Sequence, residues 1–367
     1  MRRFAIIFVL AVGASTWPAA QQTPDHNVVL VTLDGARIEE MFGGLDVEIL
    51  RSTLDAEARV EEQPIYKRFW AADPVARREK LMPFFWGTLM REHGSIAGNP
   101  ALGSRVRLAN RHWFSYPGYS EMLVGRTNDD VIKSNDPVRN PSRTILETLR
   151  ERFSLSREQV ALFGSWDVFN AIGESREGTV TINAGFEPYE HPDPQVKVMS
   201  ALQLRTPTPW NSVRHDAYTA RFAFAHMAAY RPRVLYLALG ETDDWAHDGR
   251  YDRVLEAFAY TDEILRQLWT SLQADPQYRG KTSLLITTDH GRGAGTDGWR
   301  HHGEKYAASA NTWMAFVSPT MRLRGEWRNH PPLETRQVAA TVAGWMSVDW
   351  RTLTPPPAPP VTVPAPP

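Results

Sequence analysis

The sequence predicts an α/β fold in which a mostly parallel central sheet is flanked by helices on both faces. Three short runs, NVVLVTLDG from Asn27, RVLYLALG from Arg233 and TSLLITTDH from Thr282, are rich in apolar and β-branched residues, which is typical of buried strands. Between the second and third runs, Tyr251 to Gln273 carries leucine and phenylalanine at helical spacing. Strands that alternate with helices favour parallel pairing over a sheet of hairpins.

Length and charge limit the classes of function. With 367 residues and 42% hydrophobic content, the chain can bury a substantial single core. Its 41 basic and 42 acidic residues nearly cancel, which argues against nucleic-acid binding by bulk charge. The absence of cysteine excludes disulfides and any metal site built on thiolates.

Both ends of the chain differ in composition from the middle. Arg2 and Arg3 precede the apolar run 4–12 (FAIIFVLAV) and then small residues, which predicts a signal peptide over 1–20 with cleavage after Gly13, Ala14 or Ala20. The run is too short to span a bilayer, so we expect cleavage and a periplasmic or secreted protein without a stable membrane anchor. A proline-rich tail, 353–367, is expected to be disordered, which leaves 21–352 as the catalytic domain.

Local patterns predict the remaining elements in chain order. Helices are expected at 36–42, 80–94, 143–152 and 219–230, and strands at 105–109, 159–163 and 179–183. In the second of these helices, the aromatic run Phe84, Phe85 and Trp86 is expected to pack in the core. The proline-punctuated stretch 186–211 is expected to form loops over the site. The helix from Tyr251 is expected to join neighbouring parallel strands by a right-handed crossover.

Acids and histidines follow the predicted strands at the positions where each strand ends. In chain order they are Asp34, Asp243, His247, Asp289, His290 and, in a glycine-bearing loop, His302. Any one of these acids would more often cap a helix or a turn, and a lone histidine is usually structural. Because the carboxyl ends of parallel strands share one edge of a sheet, we expect the six side chains to meet there. Mixed imidazole and carboxylate donors suit zinc, so the set indicates two divalent ions.

The order of these pieces resembles the alkaline phosphatase superfamily, most closely its nucleotide pyrophosphatase/phosphodiesterase-like branch, over roughly residues 26 to 345. The matching segments are TLDG at Thr32, FSYPGYSEMLVG around Ser115, the DxxxH element at Asp243, DHG at Asp289 and the His-Gly pair at His302. The resemblance implies an alkaline-phosphatase-like fold. It also implies that Ser115 is the nucleophile and that Asn135 is the amide of a substrate-binding loop.

The resemblance also divides the ligands between two metals. One ion would be held by Asp243, His247 and His302, and the other by Asp34, Asp289, His290 and the Ser115 oxygen. Zinc is expected in both sites. Manganese is the alternative, because the related cofactor-independent phosphoglycerate mutases have a similar layout.

The resemblance further implies hydrolysis of a small-molecule phosphate ester, either a monoester or a diester. Two ions about 4 Å apart can stabilise the attacking and leaving oxygens of an in-line displacement. Ser115 would attack as an alkoxide without a histidine base and form a phosphoseryl intermediate. Asn135 would donate an N–H to a non-bridging oxygen.

Three alternatives compete with this interpretation: a sulfatase, a phosphomutase-like enzyme and a non-catalytic binding protein. Sulfatases of this superfamily require (C/S)xPxR, and here Tyr119 stands at the arginine position. Many phosphodiesterase relatives have TFPNH where this chain has SYPGY, so Gly118 and Tyr119 replace Asn and His. The leaving group is therefore not specified by the motif.

Several residues near the motifs have two possible roles. His301 could replace its neighbour His302 as a ligand, although the His-Gly pattern favours His302. Arg292, Arg300 and Lys305 would either bind a phosphate oxygen or form a solvated charged loop. His112, three residues before the nucleophile, is expected not to contact substrate.

Overall fold

A computed structural model describes residues 25–364, so the predicted signal peptide lies outside the described residues. Eleven strands are present in this part of the chain. Their bounds are Asn27–Leu33 (β1), Gly94–Ala97 (β2), Val106–Arg107 (β3), Val160–Gly164 (β4), Thr181–Ala184 (β5), Val234–Leu239 (β6), Thr282–Thr287 (β7), Asn311–Thr312 (β8), Met314–Val317 (β9), Gly325–Glu326 (β10) and Leu333–Glu334 (β11).

Eight of these strands form the central sheet, in the order β10-β2-β9-β7-β1-β6-β4-β5. The five strands from β7 to β5 run parallel to their neighbours, whereas β9 is antiparallel to both β7 and β2. The predicted mostly parallel sheet is confirmed. The strand expected at 105–109 is only two residues long and belongs to a separate small sheet, β11-β3-β8.

Thirteen α-helices accompany the sheet within residues 25–364. They are Ile38–Gly43 (α1), Val47–Ser52 (α2), Pro64–Phe69 (α3), Pro74–Leu81 (α4), Ser115–Val124 (α5), Ile145–Arg152 (α6), Phe169–Ile172 (α7), Pro194–Gln203 (α8), Asp216–Tyr230 (α9), Glu241–His247 (α10), Tyr251–Ala274 (α11), Gly295–Gly298 (α12) and Val338–Trp345 (α13). None of the described helices has the length and apolar character needed to cross a bilayer.

Alternation along β1 explains why helices cover both faces of the sheet. Val29, Val31 and Leu33 pack with residues of α9 and α11 on one face. Val28 and Leu30 pack with residues of α5, α6 and α13 on the other. Because successive side chains of a strand point to opposite faces, a fully apolar strand such as β1 needs cover on both sides.

The long helix α11 matches its predicted amphipathic pattern, since Leu255, Phe258, Leu265, Leu268 and Leu272 are all fully buried. The prediction that it joins neighbouring strands is wrong. Strand β1 lies between β6 and β7 and pairs with both. The end of β1 is therefore flanked by the segments that follow the other two strands.

The helix predicted over 80–94 is divided. Helix α4 ends at Leu81, and a π-helical segment, Phe85–His93, follows Pro83, which has no N–H to continue the first helix. The Asp262 carboxylate accepts N–H bonds from Phe84 and Phe85 at 3.0 and 2.7 Å and so caps the new segment. Phe85 and Trp86 are buried, as predicted.

The stretch 186–211, expected to be loops, contains helix α8. Asp193 caps its first turn by accepting the Gln195 N–H at 2.9 Å, and Pro194 occupies the first helical position. Proline is favoured there because its missing N–H would have no helical partner. The prolines that suggested loops here include one that begins a helix.

The tail expected to be disordered packs on the domain as far as the structure describes it, to residue 364. The Ala358 N–H donates to the Gly125 carbonyl at 2.8 Å, and the Val361 N–H donates to Thr341 Oγ1 at 2.9 Å. Pro357 and Val361 are buried. Rigid extended proline segments lose little entropy on docking, so a tail without helix or strand can still be ordered.

Candidate active site

The six predicted ligands come together at the carboxyl edge of β7, β1 and β6. Asp34 directly follows β1, while Asp289 and His290 lie just after β7. Helix α10 begins after Gly240, the single residue that follows β6, and carries Asp243 and His247 four residues apart, which places both on one helix face. His302 reaches the same place from the loop that follows α12.

Asp34, Asp289 and His290 form a buried cluster in which one ligand atom from each lies within 4.8 Å of the others. His290 Nε2 is 3.3 Å from Asp34 Oδ1 and 3.5 Å from Asp289 Oδ2. The other ring nitrogen, Nδ1, lies 2.8 Å from the Gly291 carbonyl, which can only accept. Nδ1 is therefore the donor, and Nε2 faces the cluster, as in a metal-binding histidine.

Asp243, His247 and His302 form an outer cluster under the same 4.8 Å limit. His247 Nε2 lies 3.0 Å from Asp243 Oδ2 and 2.9 Å from His302 Nε2. Two imidazole nitrogens at this separation need a proton or a cation between them. The two clusters adjoin, because His290 Nε2 is 3.8 Å from Asp243 Oδ1.

Buried oxygens without partners indicate that these groups fit cations. Within residues 25–364, Asp34 Oδ1 and Asp289 Oδ2 are buried and accept no hydrogen bond. A buried carboxylate oxygen without a partner is costly, and a divalent ion would compensate it. Burial and the neighbouring Asp34 raise the pKa of Asp289 well above its usual value. Burial opposes a charged His290, but Asp289 and Asp34 outweigh it and raise the pKa of His290 to about 9.

Each of the three carboxylates has its second oxygen occupied by a protein donor. The Tyr119 hydroxyl donates to Asp34 Oδ2 at 3.0 Å, and the Gly35 N–H donates to Asp289 Oδ1 at 3.0 Å. The Arg292 guanidinium bonds Asp243 Oδ1. Each carboxylate therefore keeps one oxygen for a cation.

Ser115 begins helix α5, with its Oγ 3.3 Å from His290 Nε2. The turn before it is held by Asn110, whose Oδ1 accepts N–H bonds from His112 and Trp113, each at 3.0 Å. Trp113 has φ +51°, a left-handed conformation that is strained for a bulky residue. Strain of this kind persists only where surrounding contacts impose it, and it is often found at functional sites.

The two departures from the phosphodiesterase motif have a physical explanation. A Cβ at Gly118 would lie 2.3 Å from the Asp289 carbonyl oxygen, so only glycine fits against that strand end. Tyr119 is fully buried and holds Asp34. In this chain the two positions pack against Asp289 and Asp34.

Asn135 lies beside the start of α5. Its Oδ1 accepts the Tyr116 N–H at 3.0 Å. This bond fixes the orientation of the amide group and leaves the Nδ2 protons available for another acceptor. Asn135 is solvent-exposed, so that acceptor can come from a substrate.

Glu121, two turns after Ser115, organises the loop before the nucleophile. Its fully buried carboxylate accepts N–H bonds from Ala109 at 2.9 Å, Asn110 at 2.7 Å and Arg336 at 3.1 Å, and a further bond from the Asn110 side chain at 2.8 Å. Burial raises the pKa of Glu121 to about 7, although these donors favour the charged form. The sequence motifs gave no signal for this role.

We expect Glu121→Ala to lower the free energy of unfolding by about 3 kcal/mol, because several buried N–H groups would lose their acceptor. Urea denaturation measures the change. Glu121→Gln keeps a carbonyl acceptor and should lose less. An alanine variant with an unchanged midpoint would contradict this role for Glu121.

Contacts distinguish the possible roles of His301, His112 and Arg292. His301 is exposed and stacks on Tyr306, with ring centroids 5.6 Å apart, outside both clusters. His112 bonds Glu304 at 2.6 Å and the Asp129 carbonyl at 3.0 Å, which commits both ring nitrogens to protein groups. Arg292 is buried and its guanidinium bonds Asp243, so it does not belong to a solvated charged loop.

Comparison with known proteins identifies the fold. No protein-family model and no curated protein matches the chain. Among solved structures, the chain is similar to the lipoteichoic acid synthase LtaP from Listeria monocytogenes, with a TM-score of 0.54 and 10% identity over 88% of this chain and 72% of that one. It is also similar to the phosphonate monoester hydrolase SpPMH from Silicibacter pomeroyi, with a TM-score of 0.50 and 12% identity over 88% and 73%. A putative sulfatase from Bacteroides thetaiotaomicron VPI-5482 gives 0.50 and 12% over 88% and 71%.

These similarities, together with the sheet and its flanking helices, confirm the predicted alkaline-phosphatase-like fold. The three structures carry the names of a synthase, a phosphonate ester hydrolase and a putative sulfatase. At this level of identity the likeness is one of fold, and the chemistry has to be argued from the site.

Proposed function

We propose that this chain is a metal-dependent hydrolase of phosphoric esters, related to the nucleotide pyrophosphatase/phosphodiesterase-like branch, with Ser115 as its nucleophile. The observation that carries the proposal is the position of the Ser115 hydroxyl. It lies 3.3 Å from His290 Nε2, beside two adjoining clusters that each suit one divalent ion. A hydroxyl at the start of a helix beside two such clusters is arranged for attack on an anionic ester.

The donor sets support zinc, with manganese as the alternative. The buried cluster with the Ser115 oxygen would hold one ion, and the outer cluster would hold the other. When bound, such ions supply Lewis-acid stabilisation of the negative charge on the attacking and leaving oxygens.

The protein groups then have separate tasks. Ser115 Oγ forms a bond to phosphorus as the bond to the leaving alcohol breaks, and the serine proton ends on that alcohol. The Asn135 amide donates an N–H to a non-bridging oxygen, where charge accumulates. Water then attacks phosphorus, the bond to Ser115 Oγ breaks, and a proton from the water restores the serine hydroxyl as the phosphate or phosphate monoester is released.

The contacts of Tyr119 weigh against the sulfatase alternative. Tyr119 stands where that chemistry requires arginine, and its hydroxyl is used by Asp34. A phosphomutase-like reaction would use the same ligands with a second hydroxylic acceptor in place of water. A non-catalytic binding protein would not require a hydroxyl 3.3 Å from a side chain of the buried cluster.

The test is a rate comparison on the zinc-loaded protein with an aryl phosphate monoester, an aryl phosphodiester and an aryl sulfate. We expect turnover of one or both phosphate esters, well above that of the sulfate. Faster turnover of the sulfate would favour the sulfatase. If none of the three esters is hydrolysed, the proposal is wrong.

We also propose that the enzyme is exported, with a mature domain that begins after a signal peptide. The support is the arginine pair and apolar run at the N-terminus. N-terminal sequencing of the protein expressed in a Gram-negative host should place the first residue between 14 and 21 in the periplasmic or secreted fraction. A protein that starts at Met1 in the cytoplasmic fraction would contradict export.

A further inference from the structure

We infer that the two clusters bind divalent ions unequally, the buried cluster first and tightly, the outer cluster second and weakly, because Arg292 neutralises Asp243. The inference rests on the proposed function only in taking both clusters to be metal sites. It concerns the affinity of each site and is independent of which ester is cleaved.

Charge is the first difference between the clusters. The buried cluster contains two carboxylates, and the donors on their second oxygens are neutral: the Tyr119 hydroxyl and the Gly35 N–H. It therefore offers two carboxylates to a cation, against one in the outer cluster. Asp34 Oδ1 and Asp289 Oδ2 are buried without another partner among the described residues, so a bound ion would offset the free-energy cost of burying them.

The outer cluster has one carboxylate, and a cationic group is bound to it. Arg292 contacts Asp243 Oδ1, and it also donates to the Trp299 carbonyl at 2.7 Å and the Arg300 carbonyl at 2.6 Å. The residue is only 2% exposed, so the guanidinium cannot move out to solvent when an ion binds. The net charge of this group is close to zero.

Exposure is the second difference, and it acts in the same direction. The His247 side chain is 42% exposed, whereas the His290 side chain is fully buried. Water can compete for an ion at the outer cluster and screens its attraction to Asp243, while the buried cluster excludes water. With charge and exposure combined, we expect the affinities to differ by about 30-fold or more.

Zinc titration calorimetry on the metal-stripped full chain tests the order of binding. We expect two separate steps of one ion each. Asp289→Ala should remove the tighter step, and His302→Ala should remove the weaker one. His301→Ala, the matched control, should keep both. A single step for two equivalent ions would overturn the inference, as would loss of the tighter step in His302→Ala.

Two substitutions separate the charge of Arg292 from its role in holding the loop. Arg292→Gln removes the charge and keeps a hydrogen-bond donor, so the weaker step should tighten by about 10-fold or more. Arg292→Lys keeps the charge, so the difference in zinc affinity between the two steps should remain. If both variants weaken that step, the arginine acts by holding geometry and the charge argument fails. Should either variant misfold, the Asp289 and His302 variants still decide the order.

The result can be distinguished from the fate of the proposed function. Unequal steps without hydrolysis of any phosphate ester would support unequal binding and remove the hydrolase proposal. Equal steps with efficient hydrolysis would overturn unequal binding and leave the hydrolase proposal in place. The absence of zinc binding would overturn the inference.

Discussion

Replacement of Ser115 by alanine should lower kcat on a phosphate ester by about 10³-fold or more. The physical reason is that the variant loses the only hydroxyl proposed to attack phosphorus, while the six metal-binding side chains stay in place. Zinc content should therefore remain near that of the wild type. Steady-state rates on an aryl phosphate ester, measured at matched zinc content, give the result directly.

Two further variants and a trapping experiment make this test specific. Ser115→Thr keeps a hydroxyl and should retain appreciable activity. Ser120, on the same helix, accepts a bond from Asn128 Nδ2 at 3.2 Å and lies outside both clusters, so Ser120→Ala should keep near-normal turnover. Acid quenching of the wild type with a labelled ester should yield a phosphorylated peptide containing Ser115. Near-normal turnover by Ser115→Ala would mean that another group is the nucleophile.

Removal of metal is expected to have the second large effect. Treatment with a chelator should abolish ester hydrolysis, and zinc should restore it, because the charge on the attacking and leaving oxygens would otherwise be uncompensated. His302→Ala should lower activity by about 10²-fold or more at limiting zinc, since the outer cluster would keep only two ligands. The measurement is initial rate against added zinc.

The adjacent histidine provides the control. His301 stacks on Tyr306 and belongs to neither cluster, so His301→Ala should follow the wild-type zinc dependence. An enzyme that keeps full activity after chelation, with its zinc and manganese contents both measured as zero, would contradict a metal-dependent reaction.

The fold and the position of the site were largely predictable because their signals are local. Asp34 and Asp289 each follow an apolar run within two residues of its end, and the edge rule for parallel sheets then brings them together. The groups that support these ligands were not predictable in the same way. Tyr119 and Asp34 are 85 positions apart in the sequence, and Arg292 and Asp243 are 49 apart. Contacts between such distant residues produce no periodic pattern in the sequence.

Two segments were predicted incorrectly for the same reason, which is that proline is compatible with several kinds of local structure. Pro194 begins helix α8, where its fixed φ suits the first turn. The tail 353–364 is proline-rich and nevertheless docks through backbone N–H groups that donate to the Gly125 carbonyl and to Thr341 Oγ1. Composition indicated correctly that the tail forms neither helix nor strand, but it could not indicate that the domain surface has a place for it.

The central position of β1 has a consequence for how the chain folds. Of the strands that the structure describes, β1 is synthesised first, but its partners β6 and β7 begin about 200 and 250 residues later, at Val234 and Thr282. Sheets that depend on such distant contacts fold slowly, and their unpaired strands are prone to aggregate meanwhile. Neither cluster can assemble until most of the polypeptide is available. We therefore expect slow refolding in which zinc binds only in the last phase. Until β7 has paired with β1, the partly folded chain should remain prone to aggregation.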